Sequence, residues 1–600
     1  MKTILHRFAR MLWGDKPISA DSAQKLYASL CPADTPDTFC WEDLDYTDQT
    51  RSFWQPAQHY ARMQAILKGF GEERLYRDGD YAARMIGALK YWLDHDYRNP
   101  NWWHNEIGMP QGIGNITILL YPLLDADTVS RAAALVGRGS MATLPAISQS
   151  WTGANLIWGA LNTVRHALLT KDSDLLRRAV TRAAAEITEG GAEGIQRDRS
   201  FFQHGPRLYT GGYGLSFAED IARLLYLLQE TEYQLPAEKI DLFLSFILDG
   251  LRPMIHGGGL DWACVGREIT RPEVLDSARA VATVELLTHT EGLPRKDELV
   301  RLLTHLRGGQ PADLTRYFPD AAMLCHHFNG LYVGAKLMND RTLGAEICNA
   351  EGELCYNMSY GTHTCVMRSG KEYLDINPVW DYAHIPGTTS FEESDAELLT
   401  RRDWVCAAHP NQCFGGKQNG RRAVIYELAQ HDGAEALVVH FAFEDGYVCL
   451  GTGIGDAKGR PLVTTVDQCR LAGDPEITDR AVTHNGIRYT ALDGTVLDTA
   501  IREQVGSWRR NNAALSDRPV KGDVLTLTVT HPAGLESAYA YMISAAERDE
   551  PPVEVLRNDR GLQAIRLPDG SVMAVFHKEG SLPTGPDGEV LSGTERQILC

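Results

Sequence analysis

Apolar residues return every three or four positions through the first half of the chain. Pro56 to Phe70 (PAQHYARMQAILKGF) and Asp80 to Asp94 (DYAARMIGALKYWLD) carry that spacing, as do Thr152 to Leu169, Ser216 to Leu228, Lys239 to Leu251 and Pro272 to Leu287. The pattern predicts one-sided helices of about 12–18 residues. Loops rich in Gly, Pro, Asn and Asp join them, which points to stacked α-hairpins rather than a βαβ alternation.

After about Pro319 the periodicity shortens. Ala423 to Leu428, Ala436 to Phe443, Tyr447 to Gly451, Val524 to Thr530 and Ala538 to Ile543 are short and rich in Val, Tyr and Thr. Asp432-Gly433, Asp445-Gly446, Leu492-Asp493-Gly494 and Pro568-Asp569-Gly570 punctuate this half as turns. These are antiparallel strand and hairpin signals. The expected architecture is α+β and multidomain, with a helical domain over residues 1–320 and antiparallel sheet over 321–600.

Composition removes several classes. The chain of 600 residues carries 59 Lys and Arg against 78 Asp and Glu, a formal charge of −19. That balance argues against a general nucleic-acid binder held by counterion release. It leaves room for an anionic substrate in a local basic cleft. No apolar run approaches the roughly 20 residues of a membrane span. In the opening MKTILHRFARMLWG, His6, Arg7 and Arg10 interrupt the apolar stretch, so no signal-peptide core is expected and the chain reads as cytoplasmic. Its 12 cysteines lack a paired framework and are expected to be reduced thiols.

Polar chemistry collects in loops of the helical half. In Asn101-Trp102-Trp103-His104-Asn105-Glu106, two adjacent tryptophans cannot both face one core from a helix. One exposed indole face is therefore expected, a surface on which sugar rings stack. In Trp151-Thr152-Gly153-Ala154-Asn155, Thr152 is placed to cap a helix and Asn155 to sit in its first turn. The segment Phe201 to Gly214 (FFQHGPRLYTGGYG) sets His204 nine residues before Tyr213, whose flanking glycines are read as exposing its phenol in a cleft. In Gly266 to Arg271 (GREITR), Arg267 and Arg271 are one helical turn apart and suited to clamp a carboxylate or sulfate. Each has a blander reading: core tryptophans, a local cap, a hydrogen-bonded structural histidine, and surface arginines neutralised by Glu268 and Glu273.

The ordered set NWW, TGAN, FFQH followed by TGGYG, and GREITR resembles polysaccharide lyase family 8, which includes hyaluronate, chondroitin AC and xanthan lyases. Asn349-Ala350-Glu351-Gly352 resembles the family's Asn-x-Glu-Asn segment, with glycine in place of the last asparagine. Asn377 to Trp380, Ile385 to Thr389, Phe443 to Ile454 and Gly506 to Trp508 resemble its sheet-domain landmarks, so the likeness spans roughly residues 100–550 in order. It implies an incomplete (α/α) toroid followed by an antiparallel β-sandwich. It also implies catalytic positions at Asn155, His204, Tyr213, Arg271 and Glu351, an aromatic patch at Trp102 and Trp103, and binding positions at Arg267 and Asn349. The implied partner is an anionic polysaccharide or oligosaccharide, with no cofactor and no metal.

These residue types suit β-elimination from a uronic acid, in which the C5 proton leaves and the oxygen on C4 is expelled. Asn155, helped by His204, would stabilise the enolate-like charge. Tyr213 would take the C5 proton as phenolate, return a proton to the leaving oxygen, or do one of the two. Arg271 is the expected cation favouring the ionised phenol, with Glu351 holding Arg271 or His204. The alternative makes His204 the base and Tyr213 only the acid. Rival classes are a glycoside hydrolase using a carboxylate pair drawn from Asp198, Asp261 and Glu106, and a non-catalytic carbohydrate-binding protein. Cys325-His326-His327 and Cys406 with His409 lack regular zinc spacing.

Overall fold

A computed structural model of the chain describes residues 1–14, 18–309, 312–359, 361–401, 413–534, 536–584 and 590–600. They form two compact units, one of Met1–Thr188, Ser216–Leu244 and Thr283–Lys296, the other of Glu189–Leu215, Ser245–Ala282 and Asp297–Cys600.

The first unit is helical. The expected helices appear as Ala57–Phe70, Gly79–His95 and Gly153–Thr170, with Met109–Leu120, Ala126–Gly137 and Ser173–Glu186 among their neighbours. Asp78, Asp125 and Asp172 start three of them by accepting a backbone N–H through the side chain. The opening residues also form a helix, Lys2–Gly14, whose Ile4, Phe8, Leu12 and Trp13 are buried. Each such side chain contributes about 1.5–3 kcal/mol of burial. The arginines that interrupt its apolar run have partners: Arg10 Nη2 donates to the Tyr226 hydroxyl at 3.1 Å, and Arg7 donates to the Gln229 carbonyl.

The second unit is sheet-rich. Leu314–Phe318, Met323–Phe328, Leu331–Lys336 and His363–Met367 form an antiparallel meander. An eight-stranded antiparallel sheet runs Cys413–Asn419, Arg422–His431, Ala434–Phe443, Gly446–Asp456, Ser537–Ala545, Ile487–Ala491, Ala481–His484, Glu476–Ile477. Val424, Phe441, Val448 and Met542 on one face of it share a core with Ile565, Met573 and Val575 of a C-terminal four-stranded sheet. The Asp432-Gly433 turn has both residues at positive φ, the twist a tight hairpin needs.

One helix is shorter than its periodicity predicts. Pro272 to Leu287 reads as a single helix, yet helix occupies only Ala278–Thr288. Before it, Glu273 adopts φ 60°, the Leu275 carbonyl accepts from Leu260 N, and Asp276 bridges Gly259. Pairing with Gly259–Leu260 outcompetes helix there.

Candidate active site

Residues 201–214 set the first group of side chains. Phe201–Phe202 pairs with Gly194–Ile195, and the chain then turns through His204 at φ 55° and Gly205 at φ 81°. Arg207 holds that turn by donating to the His204 carbonyl. The glycines around Tyr213 serve close packing rather than exposure. A Cβ would lie 2.6 Å from Cys264 Sγ at Gly211, 2.8 Å from Glu268 Oε2 at Gly212 and 2.9 Å from Phe201 Cβ at Gly214. Tyr213 is accordingly only 8% exposed, which corrects the expectation of a phenol laid open by its glycines.

Gly266–Thr270 forms a 3-10 turn that presents Arg267 inward, 5% exposed. Its Nη2 donates to the Tyr213 hydroxyl at 3.1 Å and its Nε to Glu351 Oε2 at 2.9 Å, while Nη1 donates to Glu346. Arg271 grips Glu351 with Nε at 2.7 Å and Nη2 at 3.1 Å, and reaches Glu268 with Nη1 at 3.0 Å. Thr270 Oγ1 and Asn512 Nδ2 also donate to Glu351, at 3.0 and 3.3 Å. On the other carboxylate, His204 Nδ1 donates to Glu346 Oε1 at 2.8 Å and the Tyr209 hydroxyl to Oε2 at 2.6 Å. In the neutral imidazole, a proton on Nδ1 for that bond puts the lone pair on Nε2. The rings of His204 and Tyr213 meet edge-on, their centroids 4.8 Å apart.

The two arginines do clamp a carboxylate, but it belongs to the protein. Glu351 sits on a tight hairpin: Cys348 and Glu351 exchange backbone hydrogen bonds across Asn349 and Ala350, both at positive φ. Gly352 follows at φ 92°, where a Cβ would lie 2.4 Å from the Glu346 carbonyl oxygen. This chain's departure from Asn-x-Glu-Asn therefore falls where the backbone leaves no room for a side chain.

Electrostatics follow from burial and these partners. Burial pushes the Tyr213 phenol up to about 12; Arg267 pulls it back only in part, and Glu268 and Glu346 add to the rise. Burial also opposes ionisation of Glu346, but the His204 hydrogen bond and the Arg267 charge outweigh it and hold the carboxyl well below its ordinary range. Glu351 is likewise lowered, burial being overcome by Arg271 and Arg267. Burial opposes the charge on Arg267, but the Glu346 and Glu351 carboxylates outweigh it and the guanidinium stays ionised.

The second unit thus brings together His204, Tyr213, Arg267, Arg271 and Glu351. One expected contact changes: Arg267, not Arg271, meets the Tyr213 phenol. Of the two partners expected for Glu351 it holds Arg271, together with Arg267, while His204 pairs with Glu346. Asn349 lies on the Glu351 hairpin, half-buried. Sequence reasoning missed Glu346 and Tyr209. Tyr209 precedes Tyr213 by four residues within a segment already singled out, whereas Glu346 is one acidic residue in an unremarkable stretch.

In the first unit, Trp102 is 42% exposed and its ring lies 5.2 Å from that of Trp151. Trp103 is half-buried, edge-on to Trp158 at 5.9 Å, and a Cβ on Gly108 would sit 2.7 Å from its ring. Both precede the π-helical turn His104–Gly108, a rare element often found at functional positions. Asn155 occupies the first turn of Gly153–Thr170 and is half-buried. Thr152 is the N-cap residue by backbone position, but its side chain makes no capping bond, which corrects that expectation.

Two of the three carboxylates of the hydrolase alternative are structural acceptors. Asp261 is fully buried under the Tyr332 hydroxyl at 2.7 Å and Ala263 N at 2.8 Å. Asp198 accepts from Ser200, Asp320 and Ala321. Glu106 lies within the π-helical turn of the other unit. His326 and His327 bond to the Phe443 and Pro253 carbonyls at 2.9 and 2.8 Å. Cys406 and His409 lie outside the described residues, among which no group of three or more His, Cys, Asp or Glu forms a metal site.

The family models and relatives that match this helical domain and antiparallel sheet domain are those of carbon–oxygen lyases acting on polysaccharides, and the chain is one of that class. The chain belongs to polysaccharide lyase family 8. The family's N-terminal alpha-helical domain matches residues 16–302 and its super-sandwich domain residues 313–550. Chondroitinase-AC of Pedobacter heparinus is 29% identical over 581 residues, covering 90% of this chain and 81% of that protein. Hyaluronate lyase of Thermasporomyces composti is 24% identical, covering 93% and 80%. Xanthan lyase of a Bacillus species is 24% identical, covering 88% and 65%. A solved chondroitinase AC lyase, described in complexes with oligosaccharide, superposes with a TM-score of 0.87 at 26% identity, covering 100% of this chain and 91% of that one. The fold class is the expected one, an α/α-helical domain followed by an antiparallel β-sandwich.

Proposed function

We propose that the chain cleaves uronic-acid-containing glycans by β-elimination, leaving a 4,5-unsaturated uronate on one product, and that its substrates are glycosaminoglycans of the chondroitin or hyaluronan type. The observation that carries this reading is the pairing of His204, pinned through Nδ1 to Glu346, with Tyr213, whose phenol accepts from Arg267. The substrate class rests on the names of the relatives, chondroitinase-AC and hyaluronate lyase above all.

The roles follow from protonation states. A phenol at about 12 is neutral at pH 7, and ionising it there costs about 7 kcal/mol. Tyr213 is therefore a proton donor at rest, suited to protonating the leaving oxygen on C4. His204 Nε2, its lone pair set by the Glu346 bond, takes the C5 proton. Arg267 and Glu351 position Tyr213, and Arg271 holds Glu351. Asn155 donates to the uronate carboxylate and lowers the cost of the enolate-like charge. Trp102 and Trp103 supply the stacking faces, and Asn349 a polar contact, as their motifs imply.

A second reading has Tyr213 perform both proton transfers. The Arg267 N–H at 3.1 Å favours it, because that donor would stabilise a phenolate as it forms.

A panel of chondroitin, hyaluronan, xanthan and their oligomers, followed by ultraviolet absorbance of the new double bond, tests the reaction and its substrate. Loss of the signal in both His204→Ala and Tyr213→Phe is expected. A synthetic uronate bearing an aryl oxide on C4, which departs without a proton, separates the two mechanisms. Tyr213→Phe retains activity on it if Tyr213 is only the acid, and loses it if Tyr213 is also the base.

A further inference from the structure

Two cysteines in the first unit face each other. The strands Cys31–Pro32 and Phe39–Cys40 form a two-residue antiparallel ladder in which Cys31 is the direct partner of Cys40. Ala33 N donates to the Thr38 carbonyl at 2.8 Å, and Pro32 has no N–H to offer. Pro32 and Phe39 therefore occupy a non-hydrogen-bonded position, and the cysteines the hydrogen-bonded one beside it. Opposed residues there have Cα atoms about 5.5 Å apart, inside the roughly 4.4–6.8 Å that disulfides span. The Cys31 thiol already points across the ladder, donating to the Cys40 carbonyl at 3.3 Å.

The hairpin is held in place by its surroundings. Thr35 and Thr38 close its tip through a backbone bond at 3.1 Å and a hydroxyl pair at 3.0 Å. The Arg84 guanidinium lies 5.2 Å over the Phe39 ring. At Gly87 a Cβ would lie 2.3 Å from the Asp37 carbonyl oxygen, so the hairpin rests directly on the helix Gly79–His95. Both cysteines are half-exposed, whereas Cys264, Cys325, Cys355, Cys365, Cys449 and Cys469 are buried. A small oxidant can reach this pair.

We propose that Cys31 and Cys40 are a modification site, a dithiol that closes to an intrachain disulfide on meeting a small-molecule disulfide such as oxidised glutathione. The Cys31 thiolate attacks one sulfur of the oxidant, forming a mixed disulfide and releasing one glutathione thiol. Cys40 then gives up its proton and attacks the Cys31 sulfur, releasing the second glutathione. The protein loses two hydrogens and the oxidant is reduced to two thiols. Burial and the neighbouring Cys31 push the Cys40 thiol up to about 11, which makes it the second attacker rather than the first.

The experiment incubates the full native chain with oxidised glutathione, quenches in acid, alkylates with iodoacetamide and maps peptides by mass spectrometry. The expected result is a linked Cys31–Cys40 peptide lighter by two hydrogens, with both sites lost to alkylation together and both restored by dithiothreitol. In Cys31→Ser, Cys40 remains alkylatable or carries a single glutathione, and melting curves of the variant serve as its folding control. Wild-type protein in which both thiols stay alkylatable, carry separate glutathiones, or pair with other cysteines overturns the proposal.

Discussion

Arg267 donates to the Tyr213 phenol oxygen at 3.1 Å, while Arg271, four residues on, commits its guanidinium to Glu351 and Glu268. The two arginines of one motif thus have different work. Replacing Arg267 with lysine keeps a charge but removes the fork that reaches Tyr213, Glu346 and Glu351 at once. We expect Arg267→Lys to lower kcat by about 10²-fold, a typical cost of a misplaced reacting group, and Arg271→Lys to lower it less. Steady-state kinetics beside melting curves of both variants check this. A larger kcat loss at Arg271 would make that residue the partner of the phenol.

Glu346 and Glu351 give the network a defined response to acid. Both carboxyls bind protons less readily in the folded chain than at their ordinary value of 4.5. Their contribution to stability is therefore complete above about pH 4.5 and is lost as pH falls through the folded values. Glu346→Gln removes a charge that balances Arg267 and is expected to cost about 3–5 kcal/mol near neutrality. The gap between wild type and variant should narrow as pH drops below 4.5. Urea unfolding across a pH series measures it, and a gap independent of pH would mean that Glu346 titrates alike in both states.

The helices and strands were legible because their periodicities are long and clean; Ala57–Phe70 and Ala434–Phe443 differ from the sequence reading by one or two residues at most at each end. The four strands between Leu314 and Met367 left less signal. Three of them, Met323–Phe328, Leu331–Lys336 and His363–Met367, are buried throughout, and their runs lack a polar alternation. At the site, residues within a motif were legible and their partners were not. His204 and Tyr213 stood out in a dense polar segment, but the carboxylates that hold His204 and the Tyr213 partner Arg267 lie 142 and 84 residues away in sequence. Burial was the other blind spot. Glycines beside Tyr213 signal both exposure and close packing, and only coordinates distinguish the two.

The paired tryptophans make separable predictions. Trp102 is exposed and contributes little to packing, so Trp102→Ala should leave the melting temperature within about 1–2 °C of wild type, as a surface change does. If its indole is a sugar platform, KM should rise about tenfold, the value of one stacking contact near 1–1.5 kcal/mol. Trp103→Ala empties the space against Gly108 and Trp158 and should lower the melting temperature instead. Kinetics on chondroitin oligomers with parallel melting curves separate the two. Unchanged KM in Trp102→Ala removes this residue from the binding surface.

Gly352 supplies the most local test of how the hairpin positions its carboxylates. At φ 92° an L-residue is strained whatever the space around it, and here a Cβ would press within 2.4 Å of the Glu346 carbonyl oxygen. The atoms it would displace belong to the backbone, so no side-chain rotation relieves the clash. Gly352→Ala should cost at least about 1–3 kcal/mol from the backbone term alone. Relief by moving residues 346–352 would carry Glu346 and Glu351 with it, loosening His204 and Arg267 together. The variant is therefore expected to lose kcat beyond what its folded fraction explains, with KM changing less. Activity measured well below the variant's melting temperature isolates that effect. Full kcat under those conditions would mean that the hairpin absorbs the strain without moving either carboxylate.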